Sequence, residues 1–386
     1  MRNSGWFRAL LAAVIGLAAA SCGAPEDETA GVGQSTSALS ADPRLDEFQA
    51  SPPHHVRGNA TAAPTGLSPA GIRAVYGLPS SGGIGTIAIV DAYDDPTAES
   101  DLGVFSSQFG LPACTTANGC FEKHPMANRL KSDPGWALEI SLDVQWAHAI
   151  APGARILLVE AKSASGTDLL AAVDYARNRA DVVAVSMSWG GAEFSSEAAS
   201  DSRFTSPYGA AFFASSGDNG TGPSWPASSP NVIAVGGTTL TFNPDGSLAS
   251  ETAWSGSGGG ISLYEPLPAY QAAYGLAYSG RAIPDVSYDA DPASGFSVYD
   301  STRYQGQRGW FRVGGTSAGA PQWAAIQALS LTCSDPNFYQ DAAGPSASSY
   351  FRDITSGTNG SCGANCTAAA GYDLVTGLGS PVATTF

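Results

Sequence analysis

Between residues 86 and 235, short apolar runs of strand length alternate with longer amphipathic segments, and this alternation constrains the fold more than any other feature of the sequence. The apolar runs are Thr86–Val90, Ile156–Val159, Val182–Ser186, Ala211–Ser215 and Val232–Val235. The segments with helical periodicity lie near Ala98–Phe109, Trp136–Ile150 and Thr167–Asn178. This pattern is typical of crossover units that build a parallel sheet. We therefore predict an α/β fold with a mainly parallel central sheet and helices on both faces, whose ligands bind at the carboxyl ends of the strands.

Turn and cap residues indicate where this domain begins and where its pattern changes. Ser68–Gly77 is typical of a short helix that starts at a capping serine and stops at a glycine. After Gly237, the run Thr238–Phe242 followed by Asn-Pro-Asp-Gly predicts a hairpin. We assign residues 67–386 to one globular domain.

The amino-terminal residues are typical of export. Arg2 and Arg8 precede an apolar run, Ala9–Ala20, that is too short to cross a bilayer, so residues 1–21 are predicted to be a signal peptide. The small residues before Cys22 also fit a lipoprotein signal, which leaves ordinary secretion and a lipid anchor at Cys22 as alternatives. Residues 22–66 are polar and rich in Ala, Ser and Pro, and we expect a disordered tether or a vestigial pro-segment with His54 and His55 in solvent.

Charge and cysteine content narrow the partners. The net charge of -16 argues against nucleic acid or an anionic membrane surface as a partner, and no second apolar run is long enough to span a membrane. Export makes disulfides plausible, and Cys114 with Cys120 closes a short loop. Cys333, Cys362 and Cys366 compete for one further bond. Since histidines do not accompany the cysteines in a metal-binding pattern, we do not expect a zinc site.

The stretch Gly314–Pro321 is predicted to be a tight loop that places Ser317 at the start of a helix, Gln322–Leu331. Its glycines permit unusual backbone angles, and a helix start offers free amide donors. This setting suits an acyl-transfer nucleophile, although a serine that merely caps the helix is the ordinary alternative.

A serine nucleophile needs a base, and one predicted helix offers two acids. Glu139 and Asp143 are four residues apart, about 40° around the helix, and share a face with apolar residues that include Trp136 and Trp146. Burial beside a like charge raises a carboxyl pKa, so we expect the pair to hold a proton between them in acid. Glu139 could then take the serine proton while Asp143 stabilises it; an exposed acidic helix edge is the alternative. His148 lies about 140° from Asp143 around the helix and therefore does not share this face.

A third acid, Asp218, follows the apolar run Ala211–Ser215, at the predicted carboxyl edge of the sheet. If it is protonated, its carboxyl could donate a hydrogen bond to the oxyanion of a tetrahedral intermediate. Asp-Asn-Gly is also a turn-forming sequence, so a structural role is the alternative.

These motifs together resemble the sedolisins, or serine-carboxyl peptidases. The resemblance rests on Glu139-x-x-x-Asp143 with Trp146, on Ser-Gly-Asp218 and on Gly-Thr-Ser317-Ala-Gly-Ala-Pro, and it covers most of residues 67–386. It implies a subtilisin-like peptidase domain in which Ser317 is the nucleophile, Glu139 the base, Asp143 its partner and Asp218 the oxyanion donor. Asp91, at the end of the first predicted strand, is interpreted as structural. The family's long folded pro-domain has no counterpart in residues 22–66, so the resemblance leaves maturation open.

The resemblance also implies one structural calcium ion in a carboxy-terminal loop region. Two carboxylates and three carbonyls would supply the all-oxygen ligands that calcium prefers. The residues implied are Asp353, Ile354, Ala369, Gly371 and Asp373.

We therefore expect an exported, acid-acting, monomeric endopeptidase that acts on protein or peptide substrates through a Ser-Glu-Asp triad. Three other hypotheses stay open: a tripeptidyl-peptidase that removes terminal tripeptides, a protease-like binding protein without turnover, and a hydrolase that uses His124 or His148 as its base.

Overall fold

The computed structural model describes residues 42–330 and 333–382, which belong to one compact unit. The predicted signal peptide, Cys22 and the first part of the expected tether lie outside the described residues. Within those residues, no helix has both the length and the apolar character needed to cross a membrane.

The strands form one large sheet and several two- or three-stranded sheets. In chain order they are β1 (His55–Val56), β2 (Thr86–Ala92), β3 (Phe121–Pro125), β4 (Arg155–Ala161), β5 (Val182–Met187), β6 (Gly191–Ala192), β7 (Ala211–Ser215), β8 (Ser224–Trp225), β9 (Ile233–Phe242), β10 (Leu248–Ala253), β11 (Gly260–Ile261), β12 (Ala282–Ile283), β13 (Val286–Asp289), β14 (Phe296–Tyr304), β15 (Gln307–Gly314), β16 (Phe351–Arg352) and β17 (Ser380–Pro381).

The α-helices alternate with the first strands and follow the last ones. They are α1 (Pro43–Glu47), α2 (Pro69–Tyr76), α3 (Ala98–Phe109), α4 (Pro134–Ile150), α5 (Gly166–Arg177), α6 (Ala269–Tyr274), α7 (Gly319–Ser330), α8 (Asp335–Ala343) and α9 (Ala347–Tyr350).

The large sheet has the strand order β10-β9-β7-β5-β2-β4-β3, with β13 also paired to β9. All its pairings are parallel except that of β10 with β9. Alternate residues of β2 enter different cores: Ile87 and Ile89 pack with α3, α4 and α7, whereas Ala88 and Val90 pack with α5. The predicted α/β fold, with a mainly parallel sheet and helices on both faces, is confirmed.

Helix α4 lies deeper than its sequence indicates. Asp133 caps its start by accepting hydrogen bonds from Gly135 N and Trp136 N. Every residue from Trp136 to Ile150 is buried, so the expected single apolar stripe is wrong and the helix is enclosed on all sides. Its polar side chains therefore point into packed protein or into a closed site.

A hairpin that the sequence did not reveal leads into the serine loop. Strands β14 and β15 pair antiparallel, and their polar residues hide the alternation by which a strand is usually recognised. Strand β15 ends at Gly314, three residues before Ser317. The hairpin thus fixes the approach to the predicted nucleophile.

Among the described residues, two disulfides link cysteines that are close together in the sequence. The predicted Cys114–Cys120 bond is confirmed, and Cys362 pairs with Cys366. The imidazole of His148 lies beside the first pair, a proximity that the sequence did not indicate. Because both sulfur atoms there are used in the disulfide, they are not metal ligands in this state.

Residues 42–66 differ from the disordered tether that we expected. Asp42 caps α1, and β1 pairs antiparallel with β15, where His55 lies opposite Gly314 and Val56 opposite Val313. Main-chain hydrogen bonds along a strand edge need no apolar side chains, so the polar composition of these residues did not predict this arrangement.

Candidate active site

Ser317 lies in a short 3-10 turn, Thr316–Ala318, between β15 and α7. The predicted position at a helix start is confirmed, and the residue is fully buried. Gly315 has φ +121°, and a Cβ there would lie only 2.1 Å from Pro53 O and 2.6 Å from Asp218 Oδ2. Only glycine permits both this backbone angle and this close approach.

Glu139 and Asp143 are both fully buried on α4. Glu139 Oε1 and both carboxyl oxygens of Asp143 have no hydrogen-bond donor among the described residues. Two carboxyl groups can bond to each other only when one of them carries a proton, because ionised oxygens only accept. The unpartnered oxygens therefore favour a proton shared within the pair.

Burial dominates the acidity of this pair. It raises the pKa of Glu139, and the nearby charge of Asp218 reinforces this shift. Burial and the neighbouring Glu139 charge also raise the pKa of Asp143 far above its usual range. Both pKa values rise because burial disfavours the charged form and because the two groups would carry like charges.

Asp218 is held against the serine loop. Its Oδ1 accepts hydrogen bonds from Thr316 N (2.8 Å) and Thr316 Oγ1 (2.7 Å). Burial raises its pKa, although bonds from His55 and Thr316 oppose the shift. Its Oδ2 and Pro53 O both border the space that a Gly315 side chain would occupy, so this carboxyl lies near a peptide carbonyl.

The amino-terminal segment enters the same place. Ser317 Oγ donates to Pro53 O at 2.8 Å, His54 Nδ1 lies 2.7 Å from Glu139 Oε2, and His55 Nε2 lies 3.2 Å from Asp218 Oδ2. The expectation of two solvated histidines is wrong for His54, whose side chain is 5% exposed, whereas that of His55 is 51% exposed. Burial lowers the pKa of His54 to about 4, which keeps its imidazole neutral above that pH.

A pocket of about 420 Å³ adjoins Pro53. Apart from Asp218 and the two histidines, the side chains around it are small and uncharged. The lining residues are Ser51–His55, Gly190–Ala192, Ser215–Ser224 and Gly258.

Asp91 belongs to this centre more closely than its structural interpretation implied. It is fully buried at the end of β2, and neither carboxyl oxygen has a hydrogen-bond partner among the described residues. After burial, the nearby charges of Asp143 and Glu139 are the largest causes of its raised pKa. Its place at the carboxyl end of a central strand was the signal that could have identified it.

The residues implied for calcium are brought together at the carboxy-terminal end of the domain. Asp353 Oδ2 accepts from Gly371 N at 3.0 Å, and Asp373 Oδ2 accepts from Ala369 N at 3.0 Å. Burial raises the pKa of Asp373, so a bound cation would relieve the penalty on its charge. Ile354 is buried beside Asp353. The set offers only oxygen ligands, which calcium prefers, and the Asp373 carboxylate also accepts hydrogen bonds from Val375 N and Thr376 N.

The sequence of the chain is similar to those of known peptidases. The family model described as subtilase family matches residues 131–348. "Sedolisin" of Pseudomonas sp. (strain 101) is 32% identical over 348 residues, with 76% of this chain and 58% of that protein covered. "Kumamolisin" of Bacillus sp. (strain MN-32) is 31% identical over 368 residues, with 83% and 63% covered. The chain thus spans about six tenths of the length of these curated relatives.

A solved structure extends the similarity to three dimensions. The structure titled "Pseudomonas sedolisin (serine-carboxyl proteinase) complexed with two molecules of pseudo-iodotyrostatin" matches with a TM-score of 0.70 and 28% identity. The match covers 84% of this chain and 97% of that one.

Proposed function

Since the chain belongs to the subtilase family and, within it, to the sedolisins, we propose that it is an exported serine-carboxyl endopeptidase that works in acid. The observation that carries the proposal is the position of Pro53 O, which accepts from Ser317 Oγ at 2.8 Å and lies near the carboxyl of Asp218. A peptide carbonyl thus lies beside both a candidate nucleophile and a candidate oxyanion donor. The two disulfides support export, because such bonds persist in oxidising compartments.

The proposed reaction begins when Ser317 Oγ attacks the carbonyl carbon of a peptide bond. Glu139 takes the hydroxyl proton, and Asp143 stabilises the protonated glutamic acid through the proton that they share. Asp218, when protonated, donates to the oxyanion. The same proton returns from Glu139 to the leaving amine, and water then hydrolyses the acyl-enzyme.

Acid action requires two protonation states at the same pH. The acid pair must carry one negative charge to accept the serine proton, and Asp218 must carry a proton to donate to the oxyanion. Both conditions hold only where the pair has lost one proton while Asp218 keeps its own, and the raised pKa of Asp218 extends that range upward. The hypothetical histidine bases are engaged elsewhere, because His148 Nε2 bonds to Pro112 O and His124 stacks on Tyr175.

The cleft supports endopeptidase action over tripeptidyl-peptidase action. Upstream of Pro53, the chain continues through Ser51 and Gln49. Ser51 forms an antiparallel β-bridge with Gly190, and Gln49 forms one with Ser165. Five residues therefore lie before the Pro53–His54 bond in or beside the cleft, whereas a tripeptidyl-peptidase must stop its substrate after three.

We further propose that Asp353, Asp373 and the carbonyls of Ile354, Ala369 and Gly371 hold one calcium ion. When bound, the ion would supply positive charge that ties the two carboxy-terminal loops together. This site is separate from the catalytic residues, so its role is structural.

The test is cleavage of an unfolded protein by the full-length chain across acidic to mildly alkaline pH. We expect Ser317→Ala to lower activity about 10⁴-fold or more, and Glu139→Gln to do the same, because both act in one proton transfer. Glu122→Gln is the matched control, since it makes the same change at a side chain that is 50% exposed. Full activity in Glu139→Gln would overturn the carboxylate mechanism, and a folded wild type that cleaves nothing would favour the binding-protein alternative.

A further inference from the structure

The pocket beside Pro53 has a wall that contributes few side chains. Residues 219–223 line the pocket, and residues 256–260 pair with them; the two segments are here called the pocket wall. Between the segments, Gly222 N donates to Gly259 O at 2.7 Å. Six of the ten residues are glycines, which have no side chain to pack and lose more conformational freedom on folding than other residues. The shape of the wall therefore depends on the contacts that hold its main chain.

Asn359 joins the two segments of the pocket wall but does not itself line the pocket. Its main-chain oxygen accepts from Thr221 N at 3.1 Å, and its side-chain Nδ2 donates to Ser257 O at 2.8 Å. A Cβ on Gly220 would lie only 2.5 Å from Asn359 O, so the two chains are in direct contact. Asn359 is 4% exposed, and a buried hydrogen bond that loses one partner leaves the other unsatisfied. These bonds therefore fix the spacing between the two segments.

The Cys362–Cys366 disulfide holds the loop that carries Asn359. Asn359 N donates to Cys366 O at 3.0 Å, and Cys366 is fully buried. A Cβ on Gly360 would lie 2.9 Å from Cys366 Sγ, so the sulfur packs directly against the main chain next to Asn359. A disulfide removes conformations that the open loop could adopt. It therefore restricts the positions that are available to Asn359.

The pocket adjoins the carbonyl that the proposed reaction would attack. Pro53 borders the pocket and its carbonyl accepts from Ser317 Oγ, so a substrate residue with its carbonyl in the same place would extend its side chain toward the pocket. A volume of about 420 Å³ and a mostly small, uncharged lining suit a large uncharged side chain. If the two segments of the wall separated, such a side chain would lose many van der Waals contacts, whereas a small one has few to lose.

We propose that Asn359, together with the disulfide that holds it, is a positioning residue for substrate choice: it keeps the pocket wall at the spacing at which a large uncharged side chain binds. This inference rests on the proposed function, because it requires Ser317 to attack the carbonyl beside the pocket. In the part of the chain that the structure describes, Asn359 has no hydrogen bond to Ser317 or Glu139. Its effect is therefore on the choice of substrate rather than on the proton transfer.

The experiment compares two fluorogenic peptides that differ only in the residue on the carbonyl side of the cleaved bond, which is Phe in one and Ala in the other. For the purified full-length chain, kcat/KM should be higher for the Phe peptide. Asn359→Leu removes the amide donor at similar size and should lower the Phe-to-Ala ratio of kcat/KM about tenfold, mainly through the Phe peptide. Asn178→Leu is the matched control and should keep the wild-type ratio. It also removes a bond of 2.8 Å from an amide nitrogen to a carbonyl, Asp174 O, but at an exposed residue that does not line the pocket.

Asn359→Asp gives a readout that a general loss of stability would not give. A protonated carboxyl can donate to Ser257 O, whereas an ionised one cannot. Asn359 Oδ1 has no hydrogen-bond donor among the described residues, so a carboxylate there would not gain a partner in exchange. This variant should therefore have the wild-type ratio at low pH and lose it as pH rises and the new carboxyl ionises. In wild type the ratio should stay constant over the same pH range, because an amide does not ionise.

Opening the disulfide tests the second part of the proposal. Cys362→Ser combined with Cys366→Ser should lower the Phe-to-Ala ratio, whereas Cys114→Ser combined with Cys120→Ser opens the other disulfide and should leave it unchanged. A wild-type ratio in folded Asn359→Leu, or a ratio that does not change with pH in Asn359→Asp, would overturn the inference but leave the proposed function standing. A wild type that cleaves the Ala peptide as well as the Phe peptide would also overturn it. If folded wild type cleaves neither peptide nor an unfolded protein, the proposed function itself fails.

Discussion

Replacing Asp218 by Asn tests whether this residue must be protonated to donate to the oxyanion. The amide has the shape of the carboxyl group, and its oxygen can still accept from Thr316 N and Thr316 Oγ1, now at 2.8 and 2.7 Å. Its nitrogen can take the place of Oδ2, which lies near Pro53 O. Unlike a carboxyl, an amide donates at every pH.

The expected result has two parts. At the optimum, Asp218→Asn should keep kcat/KM within about tenfold of wild type, whereas Asp218→Ala should lose about 10²–10³-fold, the usual effect of one oxyanion donor. Asp218→Ala also leaves the buried N–H and hydroxyl of Thr316 without this acceptor, which should cost about 1–3 kcal/mol of unfolding free energy.

The pH profile carries the decisive information. Wild-type activity should fall as pH rises through the pKa of Asp218, because ionisation removes the donated proton. Since the amide does not ionise, the alkaline limb should move to higher pH in Asp218→Asn. The assay is kcat/KM for a fluorogenic peptide from pH 3 to 8. An alkaline limb at the same pH in both proteins would refute the assigned role.

Two further predictions concern stability. Removing calcium with a chelator should lower the melting temperature of wild type, measured by calorimetry, but should have little effect on Asp353→Asn; equal shifts in both would argue against the proposed ligands. Burial raises the pKa of Asp300 to about 8, above its unfolded value. Between about pH 4 and pH 8 the folded state therefore holds a proton that the unfolded state has lost. The free energy of unfolding should fall across this range by up to about 1.4 kcal/mol per pH unit. Asp300→Asn should flatten that slope in urea titrations, and an unchanged slope would exclude Asp300 as its source.

The sheet and its helices could be predicted because their residues repeat with a clear period. The run Ala211–Ser215 is a strand with those bounds, and the helix over Ala98–Phe109 also has the bounds expected. Interior strands of a parallel sheet are apolar on both faces, so hydropathy alone indicates them. Strand β3 and the hairpin β14–β15 mix polar and apolar residues and gave no such signal.

Site residues that are related by local spacing in the sequence could be predicted. Residues that reach the site through contacts between distant segments could not. Glu139 and Asp143 share a helix face by simple periodicity, and the structure brings both to the serine loop. Asp91 and His54 reach the same centre only through the fold, from segments that are far away in the chain. No local sequence pattern predicts that His54 contacts Glu139, which is 85 residues away in the chain.

The enclosure of α4 has a consequence for how this protein loses activity. A helix with packed neighbours on every side exchanges its amide hydrogens only when most of the domain opens. Glu139 and Asp143 are carried by such a helix, so they cannot drift apart while the rest of the molecule stays folded. Heat inactivation should therefore coincide with global melting, because the relative positions of Glu139 and Asp143 should persist for as long as the surrounding core is folded.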